Sequence, residues 1–229
     1  MKKLLSFLHL SPVDLCLWLA CVAAIFLSFF LSGNTAYLYL AASLVGATAL
    51  VFVSNGNVLG QILTVAFSIL YGIISYSYRY YGEMITYLGM TMPIAVAAVV
   101  TWFRHPFQDQ RNEVEVNRLS AREYLFICLG GIAIGIAFYF ILRALGTESV
   151  FISSVSVTTS FIAVWLTMRR SPFYAVAYAL NDAVLIVLWA LATVNHAEYS
   201  CMIVCFCAFL LLDGYGLFRW LAMQKRQST

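Results

Sequence analysis

Eight stretches of this chain are almost entirely apolar for 17 to 22 residues, which is long enough for a helix to cross the hydrocarbon core of a bilayer. Lipid offers no hydrogen-bond partner to backbone N–H and C=O groups, so only helices and closed barrels span it, and these lengths are helical. The sequence therefore predicts an all-α integral membrane protein with eight transmembrane helices. The predicted spans are residues 15–31, 36–53, 58–78, 84–103, 124–142, 150–168, 173–194 and 199–218.

The composition excludes a soluble domain. Hydrophobic residues make up 63% of the chain and charged residues only 10%, whereas about a quarter of a soluble domain is charged. The net charge of +3 comes from Lys and Arg in short loops rather than from one basic face, so nucleic acid is not an expected partner. The lipid bilayer is the expected surrounding of the chain.

The basic residues predict which side each loop faces. With both termini in the cytoplasm, ten Lys and Arg lie in inner segments and two, Arg79 and Arg143, in outer loops, with Arg219 at the inner end of the last span. Lys2 and Lys3 before the first span also fit a signal peptide, but no clear small-x-small cleavage site follows, and we interpret the segment as a retained helix. The expected location is a bacterial plasma membrane.

Weak internal similarity predicts two like-oriented three-helix units. Glu83 and Glu198 are 115 residues apart, and residues 49–60 match 163–174 in hydropathy at nearly the same offset. The alternative is a coincidence of spacing. A parallel repeat predicts an extra N-terminal helix and a 3+1+3 core. The predicted division is 1–34 for the N-terminal helix, 35–103 for the first bundle, 104–149 for a cytoplasmic loop and linker helix, 150–220 for the second bundle and 221–229 for the tail.

A polar pair, Asn181 and Asp182, occupies the middle of the seventh span. A carboxylate there costs about 2.5 to 3.5 kcal/mol on insertion scales, so its presence suggests a use. Helical spacing places Tyr174 and Tyr178 beside Asn181, and Tyr178 and Trp189 beside Asp182. Such a surface suits a planar, hydroxylated and cationic ligand. The alternative is that the pair hydrogen bonds to neighbouring helices as part of their packing.

Other features of the spans predict packing or hinges. Asp213 begins an Asp-Gly-Tyr-Gly sequence that we interpret either as a break in the last span or as a contact with Arg219. Pro93 is expected to bend the fourth span, because proline removes a helical hydrogen bond. Gly131 and Gly135 are spaced for a close helix–helix approach.

No catalytic, metal or cofactor site is predicted. Cys201, Cys205 and Cys207 have no His or carboxylate at ligand spacing, and we interpret them as small apolar residues. The three histidines lie in the N-terminal stretch or in loops. A membrane enzyme is therefore not the expected function.

Several motifs resemble the PnuC-type transporters, which take up nicotinamide riboside and related vitamin precursors. They are Asn57-Val58-Leu59-Gly60, the YYGEMITYLGMTMP run at 80–93, Trp102, and GLFRW at 216–220. The resemblance covers roughly residues 35–220, and its motifs are moderately specific together. It implies the 3+1+3 core with an optional N-terminal helix.

The resemblance also implies facilitated diffusion by alternating access, with cytoplasmic phosphorylation trapping the substrate. The family's Trp-x-x-Trp-x-x-x-Asn motif is matched here by Asn181, whereas Tyr174 and Ala177 replace the two tryptophans. This departure leaves thiamin and deoxynucleosides as alternative substrates. An ionised Asp182 would favour a cation such as nicotinamide riboside or thiamin over a neutral deoxynucleoside.

The sequence thus predicts a carrier for a small molecule, with a site between the bundles near the bilayer midplane. The candidate substrate-binding residues are Asn181, Asp182, Tyr178, Tyr174, Trp189, Gln61 and Tyr87. A sugar carrier of the SWEET or PQ-loop kind is a more distant alternative, and the lack of any Pro-Gln dipeptide counts against it. A homo-oligomer is compatible with the sequence, which does not specify the oligomeric state.

Overall fold

In the computed structural model, which describes residues 10–33, 35–108, 110–147, 149–194 and 196–228, eight long apolar helices dominate the fold. Each overlaps one predicted span, which confirms the predicted number of helices. The first four are α1 (Pro12–Leu31), α2 (Tyr37–Ser54), α3 (Val58–Ser77) and α4 (Tyr81–Arg104). The others are α5 (Ala121–Ala144), α6 (Val150–Met168), α7 (Tyr174–Thr193) and α8 (Ser200–Arg226), with a 3-10 turn (Ala197–Tyr199) before α8.

The last helix runs without a break through Asp213 and the two glycines that follow it, so the predicted break is wrong. Gly216 instead provides room for a neighbour, since a Cβ there would lie 3.0 Å from the Tyr174 hydroxyl. The helix α8 therefore continues through Gly214 and Gly216, although glycine has a low helix propensity. Packing against neighbouring helices contributes more to the stability of a helix than propensity does.

The fourth helix changes its hydrogen-bonding pattern where the sequence predicts a bend. It is α-helical over Tyr81–Ile85, a π-helix over Thr86–Thr91 and α-helical again over Met92–Arg104. Pro93 has no N–H to donate, so the regular i→i−4 ladder cannot continue through it. The π-turn directly precedes this position and sets the direction of the side chains that it carries.

A short antiparallel hairpin follows α4, with strands β1 (Pro106–Phe107) and β2 (Gln110–Val114), a small addition to the predicted all-helical fold. The last residue of β2 and the segment that follows it, residues 114–117, hydrogen bond to three other parts of the chain. The Val114 N–H donates to the Gly56 carbonyl at 3.0 Å, the Val116 N–H to the Gln227 side chain at 2.7 Å, and the Asn117 N–H to the Arg170 carbonyl at 3.0 Å. The segment thus ties together the α2–α3 turn, the α6–α7 turn and the end of α8.

The helices α2–α4, here called the first bundle, and α6–α8, the second bundle, meet through reciprocal contacts. The opening helix of each bundle packs against the closing helix of the other, α2 against α8 and α6 against α4. The Trp102 indole of α4 donates to the Thr167 carbonyl of α6 at 3.0 Å, and the Trp220 indole of α8 donates to the Val53 carbonyl of α2 at 2.9 Å. Two equivalent, like-oriented units would make contacts of this kind, although the domain boundaries stay a prediction.

The helices that precede the two bundles also begin alike. Ser11 caps α1 in a capping box with Asp14, and Ser120 caps α5 in a capping box with Glu123. The Tyr215 hydroxyl near the end of α8 donates to Asp14 at 2.6 Å. The start of α1 and the end of α8 therefore lie on one side of the molecule, here called the termini side.

The predicted close approach at Gly131 and Gly135 is confirmed as the contact between α5 and α6. A Cβ on Gly135 would lie 1.9 Å from the Thr158 hydroxyl, and one on Gly131 would lie 2.7 Å from the Ile162 side chain. Small residues at this seam let the two backbones approach, which is how helices associate in lipid.

The contact between α2 and α3 leads to a test of packing. A Cβ on Gly60 would lie 2.5 Å from the Val53 backbone nitrogen and 2.9 Å from the Ala49 carbonyl, and backbone atoms cannot rotate away. We expect Gly60→Ala to destabilise the fold by about 1 to 3 kcal/mol through overpacking. The measurement is the midpoint of thermal unfolding in detergent. Gly214→Ala, whose Cβ meets nothing within 4 Å, is the matched control and should leave the midpoint unchanged or raise it.

Candidate functional site

A small internal cavity of about 40 Å³ lies between the two bundles. Five helices line it, three from the first bundle and two from the second. Its lining residues are Gly46, Ala49, Leu50, Val53, Gln61, Thr64, Phe67, Tyr87, Thr91, Tyr178, Asp182, Phe209 and Asp213. The space is enough for a few water molecules and far below the roughly 300 to 1,000 Å³ of typical ligand pockets. A larger ligand would require the bundles to move apart.

Two carboxyl groups meet in this cavity. Asp182 of α7 is 3% exposed and Asp213 of α8 is 2% exposed, and both side chains line the same small cavity. The Oδ2 atom of Asp182 is buried without a hydrogen-bond partner. Among the described residues, none of the ion pairs includes either acid. The site therefore concentrates negative charge, or the protons that neutralise it, in an apolar interior.

Arg219 does not neutralise Asp213, contrary to one interpretation of the sequence. Its guanidinium donates to the Asn55 side chain near the α2–α3 turn. Asp213 and Arg219 are separated by about 1.7 helical turns along α8, so the two side chains leave the helix about 120° apart. The pairing of Asp213 with Asp182 is a result of how α7 and α8 pack.

The lining side chains recur at helical spacing, so each helix presents a narrow stripe to the cavity. Gln61 and Thr64 lie three residues apart on α3, and Tyr178 and Asp182 lie four apart on α7. On α4, Tyr87 belongs to the π-turn, which also positions Thr91 toward the cavity. Amide and hydroxyl groups from one bundle thus face the carboxyl pair of the other.

Aromatic rings form the wall opposite the termini side. The Phe67 ring lies 5.7 Å from the Tyr87 ring and 5.5 Å from the Phe209 ring, both in edge-on contacts. Aromatic faces next to carboxyl groups attract cations by the ring quadrupole and by charge. The arrangement is suited to a planar cation.

Asn181 lies next to Asp182 in the sequence but hydrogen bonds to residues outside the cavity. Its Oδ1 atom accepts from the hydroxyls of Ser156, Thr159 and Ser160 on α6, at 3.2, 2.9 and 2.9 Å. Asn181 is 1% exposed and does not line the cavity. It joins α7 to α6, which is the packing alternative that the sequence left open.

Tyr174, also predicted as a site residue, lies one turn below Tyr178 toward the termini side. Its ring is 5.1 Å from the Trp220 ring, which in turn is 5.5 Å from the Trp102 ring. All three side chains are buried. They form a termini-side aromatic cluster that separates the cavity from that side of the molecule.

Trp189 lies on the other side of the cavity. Its indole N–H donates to the Tyr71 hydroxyl at 2.9 Å, and its ring contacts Tyr78, Tyr80 and Tyr199. This second group, the outer aromatic cluster, closes the other end of the bundle interface. Of the predicted residues, the structure therefore brings Asp182, Tyr178, Gln61 and Tyr87 to the cavity, and places Asn181, Tyr174 and Trp189 around it.

Eight lining residues escaped the sequence analysis, four of them small or aliphatic and four polar or aromatic, and Asp213 was assigned a different role. Thr64 and Thr91 lie at i+3 and i+4 from the predicted Gln61 and Tyr87, so helical spacing was a usable signal for them. Phe67 and Phe209 carry no such signal, because apolar rings abound in every span.

Comparisons with known proteins agree with this architecture. Residues 36–222 match the family described as nicotinamide mononucleotide transporter. The chain is 24% identical over 225 residues to a nicotinamide riboside transporter PnuC of Neisseria mucosa, covering 96% of this chain and 84% of that protein. A crystal structure of the vitamin B3 transporter PnuC shares the fold, with a TM-score of 0.83, 21% identity and coverage of 95% of this chain and 94% of the other.

The packing role of Asn181 can be tested by comparing it with Gln61, a buried amide that faces the cavity. We expect Asn181→Leu to destabilise the protein by about 1 to 3 kcal/mol, because it removes the acceptor shared by three hydroxyls. Gln61→Leu, an equivalent change of a buried amide that faces the cavity, is the control and should cost less. Thermal unfolding midpoints measured without ligand compare the two. Equal midpoints would contradict the packing role of Asn181.

Proposed function

Because this chain belongs to the nicotinamide mononucleotide transporter family, we propose that it carries nicotinamide riboside across the membrane through the cavity between its two bundles. Transport across a membrane is the function that the family and the eight apolar helices support. The single observation that carries the choice of ligand is the carboxyl pair, Asp182 and Asp213, at the centre of the bundle interface. Nicotinamide riboside offers that pair a planar cation and ribose hydroxyls.

The chemistry of the cavity fits the two parts of such a ligand. The positive pyridinium ring would lie near Asp182 and against the Phe67 and Tyr87 rings, where charge and cation–π attraction add. Gln61 and Thr64 of α3 offer amide and hydroxyl partners for the ribose. Tyr178 lies four residues before Asp182 on the same stripe of α7 and completes the polar side.

We propose that transport proceeds by alternating access. The cavity is enclosed between the termini-side aromatic cluster and the outer aromatic cluster, so each cluster is a candidate gate. The reciprocal bonds of Trp102 and Trp220 cross from one bundle to the other, and breaking them would open the termini side. Rocking of like-oriented bundles about a fixed central site is a common mechanism in transporters with internal repeats.

The proposed orientation of the chain follows from the distribution of basic residues, which favours a cytoplasmic termini side in a bacterial plasma membrane. We propose facilitated diffusion, in which phosphorylation of the ribose in the cytoplasm keeps the substrate from returning. Thiamin, also a planar cation, is the alternative that the same acids and rings favour. A neutral deoxynucleoside would gain only hydrogen bonds from the pair.

The ligand assignment is tested first by thermal shift of the purified protein. A ligand that binds the folded state raises the unfolding midpoint in proportion to the logarithm of its concentration over its Kd. We expect nicotinamide riboside to raise the midpoint most, followed by thiamin, with little effect from riboflavin or deoxynucleosides. A larger shift with a deoxynucleoside than with either cation would contradict the proposal.

The role of Asp182 is tested by Asp182→Asn. Removing the charge while keeping the shape should weaken nicotinamide riboside binding roughly tenfold or more, about 1.4 kcal/mol, in a calorimetric titration. Glu83→Gln is the matched control, since Glu83 is a buried acid of α4 that bonds to Ser156 and does not line the cavity. It should bind as the unchanged protein does. Unchanged affinity in Asp182→Asn would remove Asp182 from the site.

A further inference from the structure

The placement of Asp182 and Asp213 favours a shared proton. Both side chains are buried and line the same small cavity from adjacent helices, and none of the ion pairs among the described residues includes either acid. Two adjacent carboxylates cannot both remain ionised at low dielectric, so such pairs hold a shared proton. The shared proton therefore occupies the place where the proposed function puts a positive charge.

Among the residues that the structure describes, no group that faces the pair supplies that positive charge. The titratable neighbours are all neutral or acidic in character: Tyr87 on α4, Tyr174 and Tyr178 on α7, and Cys205 and Cys207 on α8. The α2 and α3 residues that line the cavity are apolar or carry only amide and hydroxyl groups. Glu83 on α4 bonds to Ser156 of α6, and Arg219 bonds to Asn55.

A second observation shows that the pair is directed at a ligand. The Oδ2 atom of Asp182 is buried at the cavity, has no hydrogen-bond partner, and belongs to a side chain that is only 3% exposed. An unpaired buried carboxyl oxygen costs free energy, which a bound donor or cation would recover. The pair thus has both a proton to release and an open acceptor facing the cavity.

We infer that the Asp182–Asp213 pair exchanges its proton for a cationic ligand, so that each cation bound releases about one proton. The inference rests on the proposed function, because it takes nicotinamide riboside or thiamin as the cation. In the exchange the carboxyl O–H bond breaks, its electron pair stays on the oxygen, and the proton passes to water. The cation takes its place between two carboxylates, and nothing is oxidised or reduced.

The direction in which the affinity changes with pH distinguishes proton exchange from simple charge attraction. Releasing one proton makes the affinity for the cation rise with pH, roughly tenfold per unit while the pair is protonated. A neutral nucleoside displaces no proton, so its binding should not rise in this way. With equal pH on both sides, the substrate gradient alone still sets the direction of net flux, as facilitated diffusion requires.

The experiment is calorimetric titration of the purified full chain with nicotinamide riboside, at one pH in phosphate and in Tris. These buffers differ in ionisation enthalpy, so the difference in measured heat gives the number of protons released. We expect about one proton per ligand in the unchanged protein, and an affinity that rises when the titration is repeated at higher pH.

Asp213→Asn tests the pair itself. Its amide removes the second carboxyl group and can donate to Asp182, so proton release should fall clearly below that of the unchanged protein and the affinity should vary less with pH. Glu83→Gln is the control and should release as many protons as the unchanged protein. Loss of release in Glu83→Gln would place the proton on Glu83 and overturn the assignment to the pair.

The outcomes separate this inference from the proposed function. Binding heat that is the same in both buffers, with an affinity independent of pH, would overturn the proton exchange and leave nicotinamide riboside as the substrate. No binding of nicotinamide riboside or thiamin would overturn the proposed function, and the exchange with it. If Asp213→Asn does not fold, the titrations of the unchanged protein in two buffers and at several pH values still test whether binding releases a proton.

Discussion

Hydrogen bonds between helices hold this membrane domain together, because lipid supplies no partner for polar side chains. Three hydroxyls of α6 share the Asn181 amide oxygen, and two tryptophan indoles donate across the bundle interface. Each of these bonds joins different helices. The polar residues that are costly in hydrocarbon are therefore the ones that fix how the helices are arranged.

The interface between the two bundles is better packed and hydrogen bonded at its two ends than at its centre. The termini-side aromatic cluster and the outer aromatic cluster are densely packed and hydrogen bonded, whereas the cavity between them holds an unpaired carboxyl oxygen. An interface of this kind can change at either end while the central acids stay in place. The same acids carry the proposed preference for positive charge, so the proposed gates and the proposed selectivity lie on one surface.

The parts of the fold that hydropathy encodes locally were predictable. All eight spans, the irregularity before Pro93 and the close approach at Gly135 follow from segments that carry their own signal. The site was predictable only in part. Asp182 and Tyr178 were found because polar residues in a span are rare. Asp213 was interpreted as a break or as a partner of Arg219, since Asp-Gly in isolation disfavours a helix.

The sequence by itself determined that the chain spans a membrane eight times and carries its polar groups at mid-depth in α7, because both properties depend on the transfer of single segments into lipid. Only the tertiary structure decided which of two adjacent residues faces the cavity. A helix turns about 100° per residue, so Asn181 faces α6 while Asp182 faces the cavity. That choice, and the meeting of Asp182 with Asp213, depends on how α7 and α8 pack, which no single segment specifies.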